Sequence, residues 1–377
     1  MNDETPDRQP SDDDAPLTVV RYDRLENLPG CYEALFAVAG GRSFYASRPW
    51  FECLVSTVLK EDQHLVLLGV ERQTTKVHTA EALLVAYADS GAPSVLHGFT
   101  SPYTTWFDIV WNAADREKSA VLRVLARYLK AARPAWREIR LDCLDVTERN
   151  YRALATALGD GGFYVEEYFH FGNWYEDVSG LGPDQFMARR SSRLRNTIKR
   201  KGRKLGRDFE LDFTAVDEDN IEKLIAAYEE VHAASWKEAE PDPAFAAELI
   251  RASFAAGSLR LGILSADHKA IAAQLWIVRH GKATIFKLSY DEEFKHYSPG
   301  SVLTEMMLKD IFLLDGVTEI DFGRGDDPYK ASWLGERRER WGIRALNPAT
   351  AGGFLQSLRC RLARIIKSLR GKGRPRA

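Results

Sequence analysis

Apolar positions along the chain recur at two spacings, every second residue and every third or fourth. The switches between them mark short strands and amphipathic helices. Residues 1–16 offer almost no apolar surface to offset the entropy of ordering, so an acidic, disordered N-terminus is expected. Structure is predicted to begin at Leu17-Thr18-Val19-Val20. A helix over 28–39 comes next, then a second after Arg48-Pro49-Trp50 with Phe51, Leu54, Val55 and Val58 on one face. Strands are expected at 64–70, 82–87, 94–99 and 107–111. A helix at 121–131, a strand at 138–144 and a helix at 151–158 lead to the close of this lobe near 174–178.

A second, similar succession then begins. The stretch 186–205 has helical propensity, 209–213 reads as a strand, and 220–236 and 243–256 read as helices. Strands at 259–264, 271–278 and 282–289 lead to a helix over 302–314, with Leu303, Met306, Met307, Ile311 and Leu314 on one side, and to a strand at 319–323. In each half a meander of strands leads to a loop, a helix and one more strand. Ser101-Pro102-Tyr103 holds the place in the first half that Ser298-Pro299-Gly300 holds in the second. The fold class is therefore α/β (α+β), with two lobes at 17–180 and 181–350 and a tail at 351–377. The length also implies two domains. Two unrelated α+β domains are the plain alternative to a repeat.

Composition narrows the function classes. The hydrophobic (45%) and charged (28%) fractions suit a globular chain with a substantial core. No apolar run approaches the roughly 20 residues of a membrane-spanning helix, and residues 1–16 hold no apolar signal-peptide core, so a cytoplasmic protein is expected. Cys31, Cys53, Cys143 and Cys360 are scattered, with neither zinc spacing nor a disulfide framework. A net charge of −2 argues against a general nucleic-acid binder, but the charge is unevenly spread.

No phosphate loop, zinc-protease helix or nucleophile elbow is present. Chemically unusual residues concentrate between 289 and 333. In Tyr297-Ser298-Pro299-Gly300-Ser301-Val302 a loop with a glycine runs into a helix whose free N–H groups favour an anion, such as a pyrophosphate. An ordinary Pro-Gly turn with Ser301 as helix cap is the alternative. Just beyond a strand end, Asp321-Phe322-Gly323-Arg324-Gly325-Asp326-Asp327-Pro328-Tyr329-Lys330-Ala331-Ser332-Trp333 gathers glycines, carboxylates, a tyrosine and a lysine. A surface turn in which Asp326 or Asp327 pairs with Lys330 or Arg324 is the alternative there.

These two strings, with the basic helix Arg189–Arg200 (RRSSRLRNTIKR) and the strand Ala272-Ala273-Gln274-Leu275-Trp276, resemble the C-terminal half of the CelD-like (cellulose-biosynthesis-type) GNAT acetyltransferases. More distantly they resemble the Fem-type peptidyltransferases. The likeness covers about 185–340 closely and 17–180 loosely. It implies tandem GNAT-like lobes, each a mixed, mostly antiparallel sheet flanked by helices, with the first degenerate and an acyl donor, acetyl-CoA or another acyl-CoA, bound in the second. The usual GNAT pyrophosphate pattern Q/RxxGxG/A is replaced here by residues 297–302, so Tyr297, Ser298, Gly300, Ser301 and Val302 would hold the donor. The lysine matching Lys330 in Fem-type enzymes is thought to stabilise the acyl group under attack, which makes Lys330 the leading catalytic candidate.

Acyl-transfer chemistry asks for the same groups. Attack on an activated acyl group builds negative charge on the carbonyl oxygen, which a fixed ammonium stabilises. A base must accept the proton of the attacking amine. Asp291 and Asp326 rank first for that task, ahead of Glu305 and His296, and Tyr290 or Tyr329 could protonate the leaving thiolate. No metal is required.

Two basic segments point to partners. Residues 189–207 carry ten Lys and Arg and no acid, suited either to phosphates of a donor, a nucleotide- or lipid-linked acceptor or a tRNA, or to solvent and the nearby acids of 217–222. In the tail, Leu355, Leu358, Leu362, Ile365, Ile366 and Leu369 stand among eight basic residues. This is a basic amphipathic helix fit either for an anionic membrane surface or for packing on the protein itself. Trp236 is a core aromatic or, by the resemblance, flanks the acceptor site. The expected activity is acyl transfer to an amine or hydroxyl, such as an amino sugar or polysaccharide precursor. An aminoacyl-tRNA-dependent peptidyltransferase and a non-catalytic polysaccharide-biosynthesis module are the alternatives.

Overall fold

A computed structural model describes residues 16–73, 78–112 and 115–371. Residues 1–15 of the N-terminal segment and 372–377 of the basic tail lie outside the described residues. The first half runs β1 (Leu17–Tyr22), α1 (Cys31–Arg42), α2 (Arg48–Thr57), β2 (Gln63–Gln73), β3 (His78–Asp89), β4 (Val95–Gly98), β5 (Val110–Trp111), α3 (Asp115–Ala131), β6 (Glu138–Asp145), α4 (Arg149–Asp160) and β7 (Tyr164–Asp177). The second runs α5 (Pro183–Ala188), α6 (Ser192–Asp208), β8 (Leu211–Ala215), α7 (Ile221–Ala233), α8 (Phe245–Ala255), β9 (Leu259–Ala266), β10 (Lys269–Arg279), β11 (Lys282–Tyr290), α9 (Pro299–Leu314), β12 (Glu319–Asp321), α10 (Pro328–Trp333), β13 (Glu336–Leu346) and α11 (Ala351–Gly371).

Among the described residues the strands form one continuous sheet, ordered β1-β2-β3-β4-β6-β13-β7-β12-β11-β10-β9-β8, with β5 beside β3. The sheet is antiparallel except for β4–β6 and β11–β12, which hold matching places in the two halves. In both, the parallel pairing lasts only three residues before the strands part.

Local sequence sets several boundaries. Ser47 starts α2 by accepting the Trp50 N–H, with Pro49 inside the first turn where its missing N–H costs nothing. The basic segment, expected as one helix, breaks into α5 and α6. Arg190 leaves the helix path to bury its guanidinium against Glu176, and Ser191 restarts the helix by accepting the Leu194 N–H at 3.2 Å. The strand expected at 107–111 contracts to Val110–Trp111.

Two strands appear where none is expected. β7 covers 164–177, well before the anticipated close of the lobe, and β13 falls on Glu336-Arg337-Arg338-Glu339-Arg340, which has no apolar alternation. Tertiary charge pairing explains β13. It lies between β6 and β7, where Arg338 reaches Glu319 at 2.7 Å and also Asp321, Arg340 reaches Asp145, and Arg344 reaches Glu138 at 2.9 Å.

Among the described residues three apolar clusters fill the fold. One packs α3 and α4 on the first half of the sheet, and another packs α5, α6, α9 and α10 on the second. The third belongs to both halves: α1 and α2 meet α7 and α8 over the inner faces of β2, β3, β9 and β10. At its centre the fully buried Trp50 ring lies 6.2 Å from both Phe245 and Phe286 of the second half. This shared core brings the 101–105 loop of the first half over the second half's strand ends.

Candidate functional site

The cavity at this junction has a volume of about 950 Å³ and forms where β12 leaves β11. Pairing stops at Thr284–Asp321, so β11 beyond that point has no strand on this side among the described residues, and its residues 285–288 and 290 line the cavity. The rest of the wall comes from the turn into α9, from α10, from the segment after α7 and from the 101–105 loop.

The turn into α9 is held from below. Ser298 adopts a left-handed conformation (φ 54°), and Pro299 supplies the first helical residue. Gln274, fully buried on β10, donates to the Gly300 carbonyl and to Thr304 Oγ1, both at 2.8 Å. Trp276 Nε1 donates to Gln274 Oε1 at 2.8 Å and fixes the amide orientation. Gly300 packs closely: a Cβ there would sit 3.2 Å from the Tyr290 ring and 3.4 Å from Leu288, so the ring would have to give by a few tenths of an ångström. Ser301 and Val302 donate to the Ser298 carbonyl at 3.0 and 3.2 Å, so the Gly300 N–H is the first-turn donor left to face this space, together with the β11 edge.

Across the cavity, Asp327 caps α10 and so aims Tyr329 and Lys330. The Tyr329 hydroxyl lies 3.3 Å from Thr304 Oγ1, which ties α10 to α9. Burial raises its pKa against the opposing hydrogen bonds from Thr304 and Ser301. Lys330 donates to the Arg324 carbonyl and stands 3.8 Å from Asp327. Burial lowers its pKa, with Asp327, Asp321 and Asp326 pulling the other way.

The third wall is basic and aromatic. Trp236 packs 4.4 Å from Tyr290, and Tyr103 stacks 3.9 Å from Phe245. Lys287 pairs with Glu240, itself 2.9 Å from His232, and lies 4.6 Å from the Tyr103 ring. Lys237 is pushed down to about 8, first by burial and then by the charge of Lys287, with Lys330 adding to the effect and Glu240 opposing it. Four lysines, Lys237, Lys287, Lys295 and Lys330, therefore line one cavity.

Of the residues singled out in the sequence, Ser298, Gly300, Ser301, Tyr329 and Lys330 line this cavity together, with Tyr290 and Trp236. Six others stand outside it. Asp291 is buried, pairs with Lys269 at 2.8 Å and caps the Glu293 N–H at 2.9 Å. Asp326 pairs with Arg337 and accepts from Trp174 Nε1, each at 2.8 Å. Tyr297 donates to Asp208 at 3.0 Å beneath Lys204, and Val302 lies in the apolar core. Glu305 sits 3.9 Å from Lys309 on α9, and the carbonyl of His296 accepts from Lys201. Among the described residues no cluster of three or more His, Cys, Asp or Glu could hold a metal.

Lys237, Lys287, Tyr103 and the Gln274–Thr304 pair were not chosen from sequence. A lysine in the middle of the apolar strand 282–290, away from its Lys282 end, is a signal for Lys287. Tyr103 has only its place in Ser101-Pro102-Tyr103, the counterpart of Ser298-Pro299-Gly300, since the tertiary fold alone brings the first half to the site.

Residues 192–331 match the family described as the acetyltransferase (GNAT) domain. No curated protein matches the chain. Among solved structures it is similar to FemX (12% identity, TM-score 0.53, covering 85% of this chain and 97% of that one). It is also similar to a tandem GNAT protein from the clavulanic acid biosynthesis pathway (13%, 0.50, 88% and 98%). A conserved protein of unknown function from Bacteroides thetaiotaomicron gives a comparable match (12%, 0.51, 83% and 96%). At these identities the likeness is one of fold. The second half carries a GNAT-type acyltransferase domain, within a mixed α/β architecture like that of the tandem proteins.

Proposed function

We propose that the chain transfers an acyl group, acetyl in the simplest case, from acyl-CoA to an amine or hydroxyl acceptor such as an amino sugar or a polysaccharide precursor. One observation carries this reading: the α9 N-terminus with Gly300 and the α10 pair Tyr329–Lys330 open on the same cavity, beside an unpaired strand edge. The helix N-terminus suits the donor's pyrophosphate and the β11 edge suits its amides. The Lys330 ammonium is placed to stabilise the carbonyl oxygen as charge develops. Lys237, whose pKa lies near the working range, takes the proton of the attacking group, since Asp291 and Asp326 are committed to salt bridges outside the cavity. Tyr329 and Tyr290 both bring a hydroxyl-bearing ring to the cavity for the leaving thiolate.

The test is CoA release with a panel of amino sugars and polyamines, together with CoA-dependent heat stabilisation. Turnover lost in Lys330→Ala with CoA stabilisation kept supports the assignment, and turnover unchanged in that variant refutes it. No turnover of any donor by the wild type would favour a binding module.

The α6 surface favours a second reading. Arg193, Lys199, Arg200, Arg203, Lys204 and Arg207 line an open basic groove on this helix, suited to a long polyanion. Binding to tRNA with a steep salt dependence, without stabilisation by CoA, would favour an aminoacyl-tRNA-dependent transfer.

A further inference from the structure

α11 (Ala351–Gly371) is docked the wrong way round for a helix that stabilises its own protein. It meets the body through small and polar positions. Gly353 and Ser357 are buried, and Cys360 Sγ lies 3.5 Å from Glu166 Oε2. A Cβ at Gly353 would come within 2.1 Å of the Asn347 carbonyl, so this face is fixed against the body. Phe354, Leu355, Leu358 and Leu362 point elsewhere and are 53%, 54%, 44% and 50% exposed. At roughly 100° per residue these four side chains fall within a single arc of about 100°. The apolar spacing of the sequence carries on to Leu369.

Charge selects the occupant of that arc. Arg359 and Arg361 fall at its two edges, and Arg364 is exposed beyond the body. No acidic residue follows Glu339, so nothing in this segment neutralises them. The Arg361 guanidinium lies 5.1 Å over the Tyr164 ring, which holds the helix at the body's edge. An apolar strip with arginines along its borders matches a phospholipid boundary: the strip enters the acyl region while the guanidinium groups reach the phosphates. No helix among the described residues is long and apolar enough to span a membrane, so the contact is one of lying on the surface.

We propose that α11 is an interfacial anchor that seats the chain on an anionic phospholipid surface. The inference is independent of the acyl-transfer reading, because none of these residues lines the cavity.

Co-sedimentation of the full chain with vesicles tests it. Vesicles of phosphatidylcholine and phosphatidylglycerol at roughly three to one are compared with phosphatidylcholine alone, at low and high salt. Binding is expected to the anionic vesicles only and to weaken with salt. The triple variant Arg359→Gln/Arg361→Gln/Arg364→Gln should lower partitioning by about 100-fold. Leu355→Gln/Leu358→Gln/Leu362→Gln should abolish it, with the melting temperature unchanged because these side chains are exposed. No vesicle binding, or equal binding to neutral vesicles, overturns the proposal. So does a dimer by sedimentation velocity that the leucine substitutions disperse, which would make a second copy the occupant.

Discussion

Gln274 donates its side-chain N–H to the backbone carbonyl of Gly300 at 2.8 Å, across the boundary between the sheet and the turn into α9. The amide is fully buried, and its oxygen is occupied by Trp276 Nε1. A strand side chain therefore sets the height of the turn that faces the cavity, and the same amide reaches Thr304, which contacts Tyr329. The proposed donor-binding and catalytic sides of the cavity rest on one polar network.

That network predicts a specific kinetic signature for Gln274→Leu. The turn loses its fixed position while Lys330 stays in place. The KM for the acyl donor should rise about tenfold with kcat changed little, a loss of uniform binding. Urea unfolding should report a loss of about 1–3 kcal/mol from the buried groups left unpaired. An unchanged KM would show that the turn is held without Gln274.

Lys330→Ala should lower kcat by about 10²–10³ with little change in donor affinity, as expected for a charge used mainly in the transition state. Lys330→Arg should restore little. The lysine reaches the Arg324 carbonyl in a confined space, and a planar guanidinium does not occupy the place of a compact ammonium. Steady-state kinetics alongside CoA-induced thermal shifts separate the two effects.

Lys237 gives a pH prediction with a definite sign. Its folded pKa of about 8 lies below the 10.5 of an ordinary lysine. As a base it works deprotonated, so the acyl-transfer rate should climb as pH rises through about 8 and level off above it. Stability follows the same direction. Between about 8 and 10.5 the unfolded chain binds more protons, so this group's contribution improves with rising pH, and at neutral pH its burial is a cost. Lys237→Met should raise the melting temperature at pH 7, lower turnover and remove the inflection near 8. A profile that keeps the inflection would assign it to another group.

Much of the fold could be read from the sequence because most elements carry their own signal. Nearly continuous apolar runs mark β2, β3, β9 and β10, and Ser47-Arg48-Pro49 announces α2. β13 could not be read this way, because its arginines look like a solvated loop until Asp145, Glu138 and Glu319 stand beside them. The site divides in the same way. Gly300, Tyr329 and Lys330 sit in local strings whose composition is unusual, and they line one cavity. Asp291 and Asp326 sit in equally suggestive loops, but each is tied to a cation, Lys269 or Arg337, that sequence distance hides. Lys237 is perturbed by Lys287, far along the chain, and no local pattern records that.

β13 also carries the prediction that most directly tests the continuity of the sheet. Arg340 is 1% exposed and pairs with Asp145 on β6, at the centre of the span joining the two halves. Burial pushes the Asp145 carboxyl up, but Arg340 and the hydrogen bonds from Thr147 more than offset it and hold it below its usual range. The stabilisation from that depressed pKa is thus present above about pH 4 and lost on acidification. Arg340→Ala leaves a buried carboxylate without its partner and should cost about 3–5 kcal/mol in urea unfolding, whereas Arg340→Met with Asp145→Leu should recover most of it. Because Trp50, Phe245 and Phe286 join the halves in one core, each variant should still unfold in a single transition, with far- and near-ultraviolet circular dichroism coinciding. Two separated transitions in Arg340→Ala would mean that β13, rather than the shared core, is what makes the halves unfold together.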